Sequence, residues 1–174
     1  SLRALALPPR LARMIVDSHR LGSGDEAALI AAILTERGLG GDSADLDARL
    51  DNFRRDRSQR AQSARQLAQR WAKQVATSEP FDMMDRSLST GLMLALAFPD
   101  RVARNRGNGS FVLANGRGAS VEQTSALAKS PYIAVAELTG TAANGRILLA
   151  APITQGEIEQ QFADHIQTDD EIIF

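Results

Sequence analysis

Cysteine is absent from the 174-residue chain, so it can form neither a disulfide nor a thiolate metal site, a composition at home in a reducing cytoplasm. Histidine is nearly absent too: His19 and His165 are the only two, with no ligand spacing around either, which argues against a zinc or other His-based site. No run of about 18 apolar residues occurs, so no membrane-spanning helix is expected. The opening stretch SLRALALPPR has too short an apolar run, and no cleavage pattern, for a secretory signal. No Gly-rich stretch leads into Lys followed by Ser or Thr, so the phosphate-cradling loop of a nucleotide motor is missing, and Gly116-Arg117-Gly118 lacks the third glycine of a dinucleotide fingerprint. Aromatic residues make up only 5% of the chain; Phe111 and Tyr132 lie where they could stack on bases, but core packing suits both.

Three short patterns imitate catalytic sites. Asp17-Ser18-His19 holds the residue types of a triad, but consecutive helical positions point about 100° apart and cannot align as nucleophile, base and orienter. Asp25-Glu26-Ala27-Ala28 has the look of an ATPase acidic box, yet it sits in the first turn of an expected helix, where the dipole favours acids. Asp47 and Asp51, one turn apart, could share a cation, but no companion ligands follow at loop spacing, and a solvated face is the better reading.

What is present is the composition of a soluble globular protein, 44% hydrophobic and long enough to bury a core as one domain or two small ones. The chain starts at Ser1 rather than Met, which suggests a segment of something longer. A net charge of -1 conceals segregation. Residues 49–73 carry eight basic residues against Asp51 and Asp56, whereas residues 150–174 carry six acids and no Lys or Arg. A local basic face can hold polyanions despite a neutral total, because surface fields decay within about 10 Å in ordinary salt.

Periodicity places five helices before Pro99. Pro8 and Pro9 open the first, which carries Leu11, Met14, Ile15, Ser18 and Leu21 on one side and ends at Gly22. Ser23 and Glu26 have capping-box spacing before an Ala-rich helix that stops at Gly38, its small side chains inviting close approach by a neighbour. Ser43 can cap a third helix lined by Leu46, Leu50 and Phe53. Ser58 opens a long fourth helix with Ala61, Ala64, Leu67 or Ala68, Trp71 and Val75 inward. After a loop at Glu79 and Pro80, Asp85 or Ser87 opens a fifth, LSTGLMLALAF, apolar nearly all round and so expected to be the most buried.

After Pro99 the period shortens toward 2. Strands are expected at 101–106, 111–114, 118–121, 132–138 and 146–150, punctuated by turns at 107–109, Asn115-Gly116 and Asn144-Gly145. Residues 154–165 look helical, and Glu171–Phe174 begin something strand-like that has no continuation. Arg101, Arg104, Arg106 and Arg117, with no acid between Asp100 and Glu122, suit phosphate contact; the same arginines could instead keep a sheet edge soluble. Arg57, Arg60, Arg65, Arg70 and Lys73 form a secondary basic face, for which plain solvation of a long helix is the commoner explanation.

Several phrases resemble a known family. ALALPPRLARMIV at 4–16 looks like the entry to the helical ratchet domain of DEAH-box helicases. AFPDRVARNRG at 97–107, LANGRGA at 113–119 and RILLAAPI at 146–153 are similar to the bacterial HrpB-type branch at the start of its OB-like barrel; residues 38–80 match only loosely. The resemblance implies an α+β segment in two parts. A five-helix ratchet-like domain would occupy 1–98, and a partial, truncated, antiparallel OB-like barrel with one helix would occupy 99–174. It further implies an accessory region of an ATP-dependent RNA helicase that helps bind and ratchet single-stranded RNA or DNA. The motor and winged-helix domains of the same chain would lie elsewhere, with ATP and Mg as the parent's cofactors and none here. No catalytic, cofactor or metal residue is expected in this segment, no membrane partner, and a cytoplasmic location. An OB barrel normally needs five strands; with only three or four of these segments expected to join it before Phe174, the sheet would stay open and self-associate through its edge. The alternative reading is a protein-protein interaction module whose basic face docks an acidic partner.

Overall fold

The computed structural model describes residues 6–78, 88–140 and 145–168. Five α-helices precede five strands, and a sixth helix follows: α1 (Pro9–Arg20), α2 (Gly24–Thr35), α3 (Leu46–Arg55), α4 (Gln59–Ser78), α5 (Thr90–Ala97), β1 (Val102–Gly107), β2 (Ser110–Leu113), β3 (Gly118–Ser120), β4 (Tyr132–Gly140), β5 (Gly145–Pro152) and α6 (Gln155–Thr168). The predicted loop at Glu79 and Pro80, a helix start at Asp85 or Ser87, the Asn144 half of the third turn and the stretch Glu171–Phe174 lie outside the described residues. Among those described, no helix is long and apolar enough to cross a membrane.

The helices follow their apolar stripes. Pro8 and Pro9 start α1, and the amides of Leu11 and Ala12 donate to the Pro8 carbonyl. α2 and α4 pack against each other, and alanine predominates among their buried residues: Ala27, Ala28, Ala31 and Ala32 on one, Ala61, Ala64, Ala68 and Ala72 on the other. With so little side chain between them, the two helices pack closely, and Ala68 is the core residue while Leu67 is 37% exposed. Two caps, those of α2 and α3, differ from expectation. Ser23 makes no cap bond to α2; its hydroxyl accepts instead from the distant Leu88 amide. The α3 cap is Asp45, accepting from the Asp47 amide, while Ser43, two residues back, accepts from the Asp45 amide. Ser89, accepting from the Leu92 amide, caps α5.

The strands close into a barrel in the order β1-β2-β3-β5-β4, with β1 also paired to β4. This corrects the truncated sheet read from the sequence: five strands are present, the circle is complete, and the edge that was to drive self-association is paired. It is not wholly antiparallel either, because β3 runs parallel to β5 through Ala119 against Gly145 and Ser120 against Arg146. The β1–β2 turn is of the expected kind, with Asn108 at φ 56° and Gly109 at φ 81°. Inside the barrel lie Ala103, Phe111, Leu113, Ala119, Leu127, Ile133, Val135, Ile147 and Ala150.

The predicted five-helix bundle does not stand as a separate packing unit. Val102, Ala134, Ala136, Leu149, Ala151 and Ile153, on the barrel's outer wall, join the same apolar cluster as α1 to α5. That explains why the IAVA run of β4 is apolar at every position: alternate residues face the barrel interior and the helices. α5 is the connecting piece and exposes none of its residues. At its start, a Cβ on Gly91 would lie 1.9 Å from the Pro152 carbonyl oxygen, so helix and strand backbones meet where no side chain fits. We expect Gly91→Ala to destabilise the fold by about 1–3 kcal/mol or more, read as a lowered urea midpoint; an unchanged midpoint would show that α5 and β5 are not in backbone contact.

Candidate nucleic-acid interface

The four arginines of the 101–117 segment come to three different settings. Arg101 follows Pro99 in a single 3-10 turn and is half-buried: its Nη1 donates to the Ala136 carbonyl on β4 at 2.7 Å, and its guanidinium lies 4.6 Å from the centre of the Phe98 ring. Arg10 covers the same ring, 5.4 Å from its centre, and bonds Asp100 at 2.6 Å. Phe98, which ends α5, is thus held by one arginine from α1 and one bonded to the barrel, a clasp across the joint.

Arg104 and Arg106 are exposed and have no ion pair among the described residues. In β1, Val102 packs on the helices and Ala103 faces the barrel interior, which puts Arg104 outward beside its strand neighbours Val112 and Tyr132. These three line a shallow hollow of about 210 Å³ with Val102, Ala103, Leu113 and Ala114. Arg106 falls at a break in the β1–β2 register between Asn105 and Gly107, where bulges commonly redirect a side chain. Asn105 anchors that bulge, donating to the Ala128 and Ser130 carbonyls, both at 2.9 Å, and accepting from the Gly107 amide at 2.6 Å. Arg117 lies in the β2–β3 turn, half-buried, and its Nε is buried with no hydrogen-bond partner among the described residues. Since Ala114, at the start of that turn, donates to the Val102 carbonyl, Arg117 sits toward the first end of β1 and Arg106 toward the other.

The secondary basic face divides as well. Arg60 pairs with Glu36 at 2.7 Å and bonds the Arg37 carbonyl; Arg65 donates to the Phe53 carbonyl at 2.7 Å and lies over the Phe53 ring. Arg57, Arg70 and Lys73 are exposed and without ion pairs among the described residues. Arg49 is 7% exposed and spends its Nε and Nη2 on the Leu39 carbonyl, so this first arginine of the basic 49–73 run does not contribute to an exposed face. Burial pulls the Arg49 pKa down, offset in part by Glu137 and Asp42. A cleft of about 750 Å³ lies elsewhere, between α3, the start of α5 and the start of α6.

Among the described residues, the patterns that imitate catalytic sites in the sequence do not assemble into one. Asp17, Ser18 and His19 occupy successive positions of α1, Glu26 pairs with Arg54, and among the described residues no three His, Asp or Glu side chains gather as metal ligands. Sequence reading missed Asn105 and the Phe98 clasp. It also missed a reciprocal cap on α6, where Thr154 Oγ1 accepts from the Glu157 amide and Glu157 accepts from the Thr154 amide; the T-x-x-E spacing was its signal.

No protein-family model matches the chain. The ATP-dependent RNA helicase HrpB of Escherichia coli (strain K12) is 37% identical over 174 residues, which is 98% of this chain and 20% of that protein. A crystal structure of the E. coli DExH-box NTPase HrpB superposes with a TM-score of 0.72 at 31% identity, covering 94% of this chain and 19% of the other. A second, of the E. coli DEAH/RHA helicase HrpB, gives 0.68 at 32% identity over 88% and 18%. The chain therefore spans about a fifth of the length of the curated relative it matches.

Two outcomes test the joint. Arg101→Ala should cost about 1–3 kcal/mol in urea unfolding, since it strands the Ala136 carbonyl and uncovers Phe98, whereas Arg104→Ala and Arg106→Ala should each stay within about 0.5 kcal/mol. For Asp100, burial raises the carboxyl pKa, but the Arg10 hydrogen bond, a backbone amide and the charges of Arg10 and Arg101 together hold it below the ordinary value. A lowered folded-state pKa stabilises above the unfolded value of about 3.9 and is lost as pH falls through the folded one. The acid-side fall of the melting temperature should therefore be shallower in Asp100→Asn than in the parent chain.

Proposed function

The chain belongs to the HrpB-type DEAH-box helicases, matching a part of their C-terminal region, and from that premise we propose that it is an accessory region of an ATP-dependent RNA helicase that helps to hold single-stranded nucleic acid. On this reading residues 1–98 are the ratchet-like part and 99–174 an OB-like barrel. ATP and Mg²⁺ belong to motor domains outside this chain, and the whole works in the cytoplasm. The five-stranded closed barrel supports the OB-like reading, since small Greek-key barrels of that kind bind oligonucleotides on a strand face.

The observation that carries the proposal is the pair Arg104 and Arg106, exposed on the barrel wall and not neutralised by any described acid. Guanidinium groups in that state gain from phosphate contact without breaking an existing ion pair. Arg117 flanks them, and Tyr132 beside Arg104 offers a ring for a base. Arg101 serves the joint, and on the helical side Arg57, Arg70 and Lys73 are the cations left to extend the contact.

Fluorescence anisotropy with a labelled oligo-RNA tests this. The chain should bind at low salt with an affinity that falls linearly on a log-log plot, and the double variant Arg104→Ala/Arg106→Ala should bind more weakly with the slope reduced by about 2. Absence of binding at low salt, or an unchanged slope, would refute it. The chain alone should hydrolyse no ATP with or without RNA; RNA-stimulated phosphate release would contradict the assignment of hydrolysis to other domains.

A further inference from the structure

The 750 Å³ cleft is far from neutral. Its described lining carries Glu26, Asp47, Asp51 and Glu157 against the single cation Arg54. Its wall is apolar where β4 begins and β5 ends: Pro131 and Pro152 are exposed, Tyr132 and Leu88 half-exposed, with Leu50 and Ile153 beneath. A phosphate backbone would be repelled here, so this is not a second nucleic-acid site.

The carboxylates are not equally committed. Glu157 accepts from Ser89 Oγ at 2.6 Å as well as from the Thr154 amide, and Glu26 pairs with Arg54. Asp47 spends one oxygen on Thr90 Oγ1, at 2.7 Å. Asp51 is 59% exposed and only 3.7 Å from Arg54, a loose pairing. One turn apart on α3, Asp47 and Asp51 thus keep acceptor capacity on the cleft wall. The residues that read from sequence as a possible shared cation site face a groove able to take a larger cation with an apolar body.

We propose that this groove docks a basic protein segment, one whose arginine or lysine side chains meet Asp47 and Asp51 while its apolar side chains lie on Tyr132, Pro131 and Pro152. Charge complementarity selects the partner. An acidic or neutral apolar peptide would gain the apolar contact but not the ion pairs, and a guanidinium can also lie on the Tyr132 ring. The prolines suit the role, because they end the paired strands without leaving amides that compete for a bound chain.

The test uses the 174-residue chain, a short fluorescein-labelled peptide alternating arginine and leucine, and a glutamate-leucine peptide as control. The arginine peptide should bind and the glutamate peptide should not. Asp47→Asn/Asp51→Lys should weaken binding by about ten-fold or more, and Arg104→Ala/Arg106→Ala should leave it unchanged. Should the double variant fail to fold by circular dichroism, Asp51→Asn alone, at an exposed position, should still weaken binding measurably. Equal binding of the two peptides, affinity unaltered by the aspartate variants, or loss confined to the arginine variant would each overturn the proposal. No nucleic acid enters the assay, so its failure leaves the RNA-binding reading to its own test.

Discussion

Backbone contact between α5 and β5 is the constraint on which the rest depends. Gly91 lies against the Pro152 carbonyl with no room for a side chain, and the small Ala95 and Ala97 are buried along the same helix. Apolar at every position after Thr90, this helix lies between the other helices and the barrel and buries surface on both. With it in place, Val102, Ala134 and Leu149 complete a core begun by Met14, Ile30 and Phe53. Phe98 then leaves α5 at the one point where Arg10 and Arg101 can cover it from the two sides. A bulkier α5 would hold barrel and helices apart and open this core to water.

The same joint sorts the arginines. Guanidinium groups near it are used as structural donors: Arg101 toward Ala136 and Arg10 toward Asp100. Those farther along β1 have no ion pair among the described residues. The basic character of the segment therefore concentrates on Arg104 and Arg106, and the proposed phosphate contact follows from what the fold has already consumed. On the opposite side of Tyr132, where the acids collect, the surface is suited to cations.

Helices were legible in the sequence because each buries one stripe, and strands because alternation and Asn-Gly turns are local signals. Barrel closure was not legible. β3 is three residues long and joins β5 by a parallel pairing between positions about 26 apart, which leaves no local pattern. Caps failed where a tertiary partner competed: Ser23 matched the capping-box spacing, but its hydroxyl bonds Leu88 and Glu26 bonds Arg54. Among the arginines, sequence could mark the segment but not the settings. Arg101 and Arg104 stand in the same basic run, and only the turn at Pro99 and the pairing of β1 separate a structural donor from an exposed cation.

If α5 welds helices and barrel into one body, the two should unfold together. Hydrogen exchange followed through a urea titration, comparing amides of α2 with those of β4, tests this most directly. A single shared opening free energy, lowered equally in both by Gly91→Ala, is the predicted result. Distinct opening free energies, with Gly91→Ala moving only one of them, would contradict the account.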